Sequence, residues 1–405
     1  MKNIFKIALA TVLFSCLSTA FSKALAQELS LSDSANISLL TATPGEEVYA
    51  HYGHTAIRVS DPIQNFDLVF NYGLFDFNSP NFLFRFVKGE TDYICGAGDY
   101  RDFLIEYQLS NRGIKEQVLN LNKAEKERIW QALVKNIQPE NRTYRYNFFY
   151  NNCSTKPRDL IAENVEGRLE YRMQGRYKTL RDEIHHFTAN HPWTQFGIDL
   201  LIGADADKNA GLKSQQFAPT LLAESFDRAY IVGDSSEMRP LVLETRQTVS
   251  IDPELIETST HFPSPQLVFW LLFGAIAALT IYEFVRFKQF QAVTAILYGF
   301  YGLIGSIIAF MVLFSVHPAT DNNYLLLWLN PFHLILAIGM IFGGFRRKVV
   351  LPYLAINLIF QLLALAGLFI LPQQLHPAML PLLLMLLCRT ILGTHQQLRK
   401  RKRIQ

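Results

Sequence analysis

Cysteine is scarce in this chain. There are four, and with Cys16 in a leader and Cys388 in an apolar run, only Cys95 and Cys153 remain in the part that is exported. A disulfide-built scaffold needs more than two, so one bridge between them is the most an oxidising compartment can form. Internal repeats and low-complexity tracts are also missing. The histidines of HYGH (51–54) have the spacing of a metal pair, but nothing beside them completes a ligand set, so neither metal nor cofactor is expected. The net charge of +3 is mostly a bias of the loops flanking apolar runs, with the basic tail as its largest cluster, and gives no reason to expect nucleic acid.

What the chain does have is membrane character. It opens MKNIFKIALATVLFSCLSTAFSKALAQE, with two lysines, an apolar run and Ala24-Leu25-Ala26, which predicts a secretory leader over 1–26. Lipoprotein processing at Cys16 is the rival reading, and Phe14 breaks the small-residue box that it requires. From Gln266 onward come five apolar stretches, at about 267–285, 292–315, 324–344, 350–371 and 377–394. Each is near the roughly 20 residues needed to cross a bilayer. Arg286 and Lys288 follow the first, Arg346, Arg347 and Lys348 the third, and RKRKR (399–403) the fifth, whereas SVHPATDNN and PQQLHPA carry no Lys or Arg. The positive-inside bias predicts an inner-membrane protein with residues 27–252 in the periplasm, a linker at 253–266, five spans within 267–394 and a basic cytoplasmic tail at 395–405.

In the exported part, HTAIRVS (54–60) and FDLVFNY (66–72) flank the turn formers of DPIQN, predicting a β-hairpin. The simplest register pairs His54 with Tyr72, and a slip of one residue pairs it with Asn71. TDYICGA (91–97) and IKEQVLNLN (114–122) read as strands, and KAEKERIWQALVKNI (123–137) as a helix with Ile129, Leu133 and Ile137 on one face. A second helix is predicted from about Ser154 to Asn164, capped by Ser154 or Thr155, with Pro157 in its first turn. Cys153 then stands at a helix N-terminus, where unsatisfied N–H groups and the positive dipole end favour a thiolate and offer an oxyanion site.

A reactive thiol needs a base, and imidazole suits because it titrates near neutrality. The exported part has six histidines. His185 and His186, in LRDEIHHF, read as a solvated helix face, His191 precedes Pro192 in a turn, and His261 lies in the linker. His51 and His54, at a strand start, are the best placed. From spacing alone, a functional Cys153–histidine pair and a structural thiol among surface histidines stand level.

HYGHTAIRVSDP, VFNYGLFDF, PENRTYRYNFFYNNCSTKPRD and HPWTQFGIDLLIGADAD, in this order, resemble the Lnb N-terminal periplasmic domain family over nearly all of residues 30–245. The five-span half is similar to the form found in Bacteroidetes-type members. More distantly, a strand histidine followed by a helix-start Asn-Cys resembles the permuted branch of the NlpC/P60-like papain folds, which includes the lecithin:retinol acyltransferase relatives. There the segment His54-Thr-Ala-Ile-Arg-Val-Ser-Asp61 is similar to the motif that carries the base. The resemblance implies an α+β fold: a papain-like (permuted NlpC/P60-like) exported domain followed by an all-α five-helix transmembrane domain. It implies Cys153 as nucleophile and His54, within Tyr-Gly-His, rather than His51 as base. For the third polar group the relatives often use a histidine, where this chain offers Asn71 or Tyr72. Cys95 stands where the family pattern has an aliphatic residue, which argues against an essential disulfide. Asn152 is either an oxyanion donor or an ordinary turn cap.

The activity implied is thiol acyl transfer to the α-amine of a lipoprotein's N-terminal cysteine. The donor is the glyceryl ester of the same diacylglyceryl-modified lipoprotein, giving a lyso product, or a phospholipid. Partners are then lipoproteins and membrane lipid, with oligomeric state open. A cell-wall amidase using the same Cys–His pair and a non-catalytic membrane assembly or transport partner are the rivals. In the membrane half, His317, Asp321, Asn322, Asn323, Asn330, Pro331 and His376 read either as functional polar groups or as loop and cap residues.

Overall fold

The computed structural model describes residues 30–75, 80–233, 237–252, 262–342, 347–368 and 370–402. The leader, His261 and most of the linker fall outside them. The chain forms two compact units. One comprises the chain up to Lys178 together with Asn209–Thr258, the other Thr179–Lys208 together with the chain from Ser259 onward.

The first unit is α+β. Its strands are β1 (Asn36–Ala42), β2 (His54–Asp61), β3 (Phe66–Leu74), β4 (Asp92–Asp99), β5 (Ile114–Leu119), β6 (Thr143–Arg145), β7 (Arg168–Tyr171), β8 (Ala229–Val232), β9 (Met238–Pro240) and β10 (Val242–Val249). Seven of them make an antiparallel sheet in the order β10-β5-β1-β2-β3-β4-β6, and β7-β8-β9 make a smaller one. Helices α1 (Phe82–Lys88), α2 (Tyr100–Leu109), α3 (Lys123–Asn136) and α4 (Thr155–Asn164) complete the part that matters for the site. Both faces of the large sheet are buried. Ile37, Leu39, Ile57 and Phe70 pack with Ile129, Trp130 and Leu133 of α3 on one face. Leu40, Ala56 and Val69 pack with Tyr100, Phe103 and Tyr107 of α2 on the other. Each such large side chain contributes about 1.5–3 kcal/mol by leaving water. Helix α3 follows its sequence pattern, with Ile129, Leu133 and Ile137 buried and an Asn122–Glu125 capping box at its start.

The hairpin forms as expected, but in neither register considered. Ala56 lies opposite Asn71 and Asp61 opposite Phe66. The reason is the turn: Asp61 accepts backbone N–H groups from Ile63 and Gln64, both at 3.1 Å, and Asn65 adopts φ 60°. A four-residue loop results, and Tyr72 points to the α3 face while Asn71 points to the α2 face.

The second unit contains five stretches long and apolar enough to cross a membrane: Pro265–Arg286, Gln291–Phe314, Tyr324–Phe342, Lys348–Gly367 and Met379–Arg399. The third is broken, a 3-10 turn at Tyr324–Leu327 giving way at Asn330-Pro331 to a helix at Phe332–Phe342. Helices α5 (Leu180–Thr188) and α6 (Pro192–Leu201) belong to this unit. The expected solvated face of LRDEIHHF is mostly buried, because α5 turns it onto acidic groups that follow. Arg181 bonds Asp199 at 2.6 Å and Asp207 at 2.7 Å, His185 bonds Asp199 at 2.9 Å, and His186 is exposed. Several loop residues serve packing: Asn323 donates to Leu200 O at 2.9 Å, and His376 caps the turn into the last helix through Ala378 N at 3.1 Å.

Candidate active site

Two glycines shape the start of β2 and the end of β3. Gly53 has φ +85°, and a Cβ there would stand 2.5 Å from Ala42 O. Only glycine lets the chain pass so close to β1 just before His54. Gly73, at φ +96°, leaves open the space where a Cβ would lie 3.8 Å from both the Cys153 Cβ and Tyr146 Cε2.

His54 is the first residue of β2, and Asn71 reaches it diagonally across the strand pair. His54 Nε2 is 3.0 Å from Asn71 Oδ1. With the amide oxygen accepting, Nε2 carries the proton and Nδ1 keeps a lone pair. The start of α4, which follows Cys153, is tied to the strand start that bears His54: Ser154 Oγ is 3.0 Å from Thr55 Oγ1. One hydroxyl pair thus fastens the start of α4 to β2 one residue beyond His54.

Burial decides the electrostatics. It pushes the Cys153 thiol up, against the pull of the Thr55 N–H, the Ser154 side chain and the Arg112 charge. It also pulls the His54 imidazole down to about 4, against the Asn71 hydrogen bond and with Arg112 acting in the same downward direction. At neutral pH both groups are uncharged. The thiolate expected at a helix start is disfavoured in the resting protein, because burial outweighs the groups that would favour it. Asn152 Oδ1 accepts from both Ser154 N and Thr155 N at 2.9 Å.

Ser154 is the N-cap residue of α4, as expected, but its side chain makes no capping bond and Asn152 supplies it instead. The Asn152 amide donates to Phe148 O at 2.8 Å and Phe217 O at 2.9 Å, so both amide hydrogens are used and none is left for an oxyanion. Tyr72 lies on the opposite sheet face, where its hydroxyl accepts from Asn136 at 2.8 Å. His51 stays in its own loop, with Nε2 3.1 Å from Glu46 O. Cys95 and Cys153 are free thiols, and no bridge joins them. Cys95 sits in the core beside Tyr72, where burial raises its pKa to about 12. Among the described residues no group of three His, Cys, Asp or Glu side chains converges to hold a metal.

Three neighbours escaped the sequence reading. Arg112 donates through Nε to Thr43 O at 2.9 Å and lies 4.8 Å from the Tyr107 ring centre. Its Nη2 is buried with no acceptor among the described residues. The Tyr144 hydroxyl is likewise buried without a partner among them, 4.0 Å from the Cβ position of Gly73. Tyr146 stacks on Tyr93 at 4.2 Å. The alternation Tyr144-Arg145-Tyr146, at the edge strand β6 shortly before Cys153, was the available signal: period 2 puts both rings on one side.

Two family models match the chain: the Lnb N-terminal periplasmic domain over residues 21–185 and the Lnb transmembrane domain over residues 257–401. No curated protein and no solved structure matches it.

Proposed function

Because the chain belongs to the Lnb family of lipoprotein-processing membrane proteins, we propose that it is a thiol acyltransferase, with Cys153 as nucleophile, His54 as base and Asn71 orienting the base. The observation that carries this reading is the His54–Asn71 contact at the strand start to which Ser154, next to Cys153, is tied through Thr55. A nucleophile, a base in reach of the same backbone and a third group fixing the tautomer form the constellation that acyl transfer uses.

His54 Nδ1 takes the Cys153 proton as the sulfur attacks the carbonyl carbon of a lipid ester. Since both groups rest neutral, proton transfer accompanies attack rather than preceding it. The C–O bond breaks, His54 returns the proton to the departing alcohol, and a thioester remains. The α-amine of the lipoprotein's N-terminal cysteine then attacks, losing its proton to His54. The C–S bond breaks and the sulfur regains a proton. Ester and amine become alcohol and amide, and nothing else is consumed. If the ester belongs to the same diacylglyceryl-modified lipoprotein the alcohol product is its lyso form; if it is a phospholipid, a lysophospholipid. The Tyr144 hydroxyl, buried without a partner among the described residues, and the Cys153 N–H would donate to the tetrahedral oxyanion.

The protein is an inner-membrane protein with a periplasmic N-terminal domain. The reading puts the chemistry within residues 27–252 and the C-terminus in the cytoplasm. A reporter active only outside the cytoplasm should work when fused after Asp321 or Gln374 and fail after Lys348 or Gln405. The reaction itself is tested by mass spectrometry of one lipoprotein's N-terminus. Strains carrying Cys153→Ala or His54→Ala should accumulate a free α-amine. Normal N-acylation in the Cys153→Ala strain, with no second acyltransferase present, overturns the assignment. Release of amines from peptidoglycan with lipoproteins unchanged would instead favour the amidase.

A further inference from the structure

Helix α1 is short, apolar and turned outward. No residue of it is buried, and Leu83 and Phe84 are 74% and 60% exposed, with Phe86 and Val87 exposed beside them. The patch continues onto the turn before HYGH, where Tyr49 is 69% exposed. Phe75 joins the two, 6.3 Å from the Tyr49 ring and 6.1 Å from Phe82. A contiguous apolar patch of this kind marks a contact surface.

Its chemistry favours lipid over protein. The two cations of α1 are already engaged, Arg85 with Asp92 at 2.5 Å and Lys88 with Glu90 at 2.7 Å. The helix therefore offers hydrocarbon with its charges neutralised, and little hydrogen-bonding capacity for a polypeptide partner to read. The exported domain is also tethered to a bilayer: strand β10 ends at Val249 and the first membrane-spanning helix begins at Pro265, so the chain between them spans at most about 60 Å even fully extended.

We propose that α1 and the adjoining Tyr49 turn seat the exported domain in the headgroup–acyl boundary of the periplasmic leaflet. From that seat an aromatic track runs to the nucleophile. Phe82 stacks on Phe75, Phe75 is 5.2 Å from Tyr93, Tyr93 stacks on Tyr146 at 4.2 Å, and Tyr146 flanks the Gly73 space that faces Cys153. These rings join the exposed surface to the wall of the Cys153 site. The lipid contact does not rest on the acyl-transfer reading.

The test uses the full chain in phosphatidylethanolamine–phosphatidylglycerol vesicles, with Cys153→Ala removing the reactive thiol. A nitrobenzoxadiazole label goes on Phe84→Cys or Val87→Cys, and for comparison on Ile63→Cys, an exposed position on the β2–β3 turn. The α1 labels should be quenched several-fold more by shallow spin-labelled lipid than the Ile63 label, and be shielded from aqueous iodide. Adding Leu83→Asp to the Val87→Cys protein should abolish the lipid quenching. Equal iodide access at all three positions overturns the proposal. So does shielding at α1 that arises only when a lipoprotein polypeptide is added, which would make it a protein-docking face. Because the readout needs no turnover, lipid quenching in the labelled variants together with no acyl transfer by the chain that keeps Cys153 would retain the contact and remove the acyl-transfer reading.

Discussion

His54 Nε2 and Asn71 Oδ1 are 3.0 Å apart because Asn71 sits opposite Ala56, diagonal to His54 and on the same sheet face. A single-residue change of register would turn Asn71 to the α3 side and bring Tyr72 to the histidine. The turn at Asp61–Asn65, well away from the site, therefore decides which side chain orients the imidazole.

Removing that orienting group should weaken catalysis more than folding. Asn71→Ala frees Nε2–H inside a buried site, and an unmade hydrogen bond of this kind costs about 1–3 kcal/mol. Acyl transfer should fall about 10- to 100-fold, with KM for the lipoprotein little changed. Tyr72→Phe, which loses only the Asn136 bond on the far face, should keep nearly full activity. Equal losses in the two variants would remove Asn71 from the mechanism.

The depressed pKa of His54 has a definite sign. A base that must be neutral stays competent until pH approaches about 4, so kcat/KM should hold below the ordinary histidine range near 6.5. Stability follows the same group. Between pH 6.5 and 4 the unfolded chain binds a proton that the folded chain refuses, so stability falls as pH drops through that window. His54→Ala should flatten this part of the denaturation-midpoint profile. The raised Cys153 thiol predicts an alkylation rate that climbs above pH 9; a plateau at neutral pH would reveal a resting thiolate instead.

Tyr144 separates stability from function. Its hydroxyl is buried with no partner among the described residues, so Tyr144→Phe removes an unsatisfied group and should leave the melting temperature unchanged or slightly higher. If the hydroxyl serves the oxyanion, kcat should still drop by about 100-fold, the lower end of the loss for one such donor. Unchanged kcat would remove the Tyr144 hydroxyl from the oxyanion site. Asn152→Ala should behave oppositely, with a lower melting temperature, because it uncaps α4 and strips the bonds to Phe148 and Phe217.

Strong local periods made much of the fold legible. The 3.6-residue face of Ile129, Leu133 and Ile137, the strands around DPIQN and the five apolar runs form as read, the third run with a break at Asn330-Pro331. What stayed hidden depends on distant partners. The hairpin register rests on the Asp61 turn, and the cap of α4 on an asparagine whose amide reaches Phe217, 65 residues away. The LRDEIHHF face looks solvated until Asp199 and Asp207 fold onto Arg181. Arg112 gave no signal at all, since a lone arginine before a glycine carries no pattern.

The membrane unit has its own test in Arg389 and Glu283. Their side chains, each 1% exposed, meet at 2.7 Å between the last spanning helix and the first. Two charges withdrawn from water hold each other at little net gain, whereas one left alone is costly, about 3–5 kcal/mol for a broken buried pair. Arg389→Met should therefore sharply lower the detergent melting temperature, since it leaves the Glu283 carboxylate buried without its cation. Glu283→Leu should do likewise, leaving Arg389 with Thr280 and Thr294 as its side-chain partners among the described residues. The double variant Glu283→Leu/Arg389→Met removes both charges and should recover most of the loss. If the double variant melts as low as either single one, the two residues stabilise the helices independently, and the pair is not the unit that joins them.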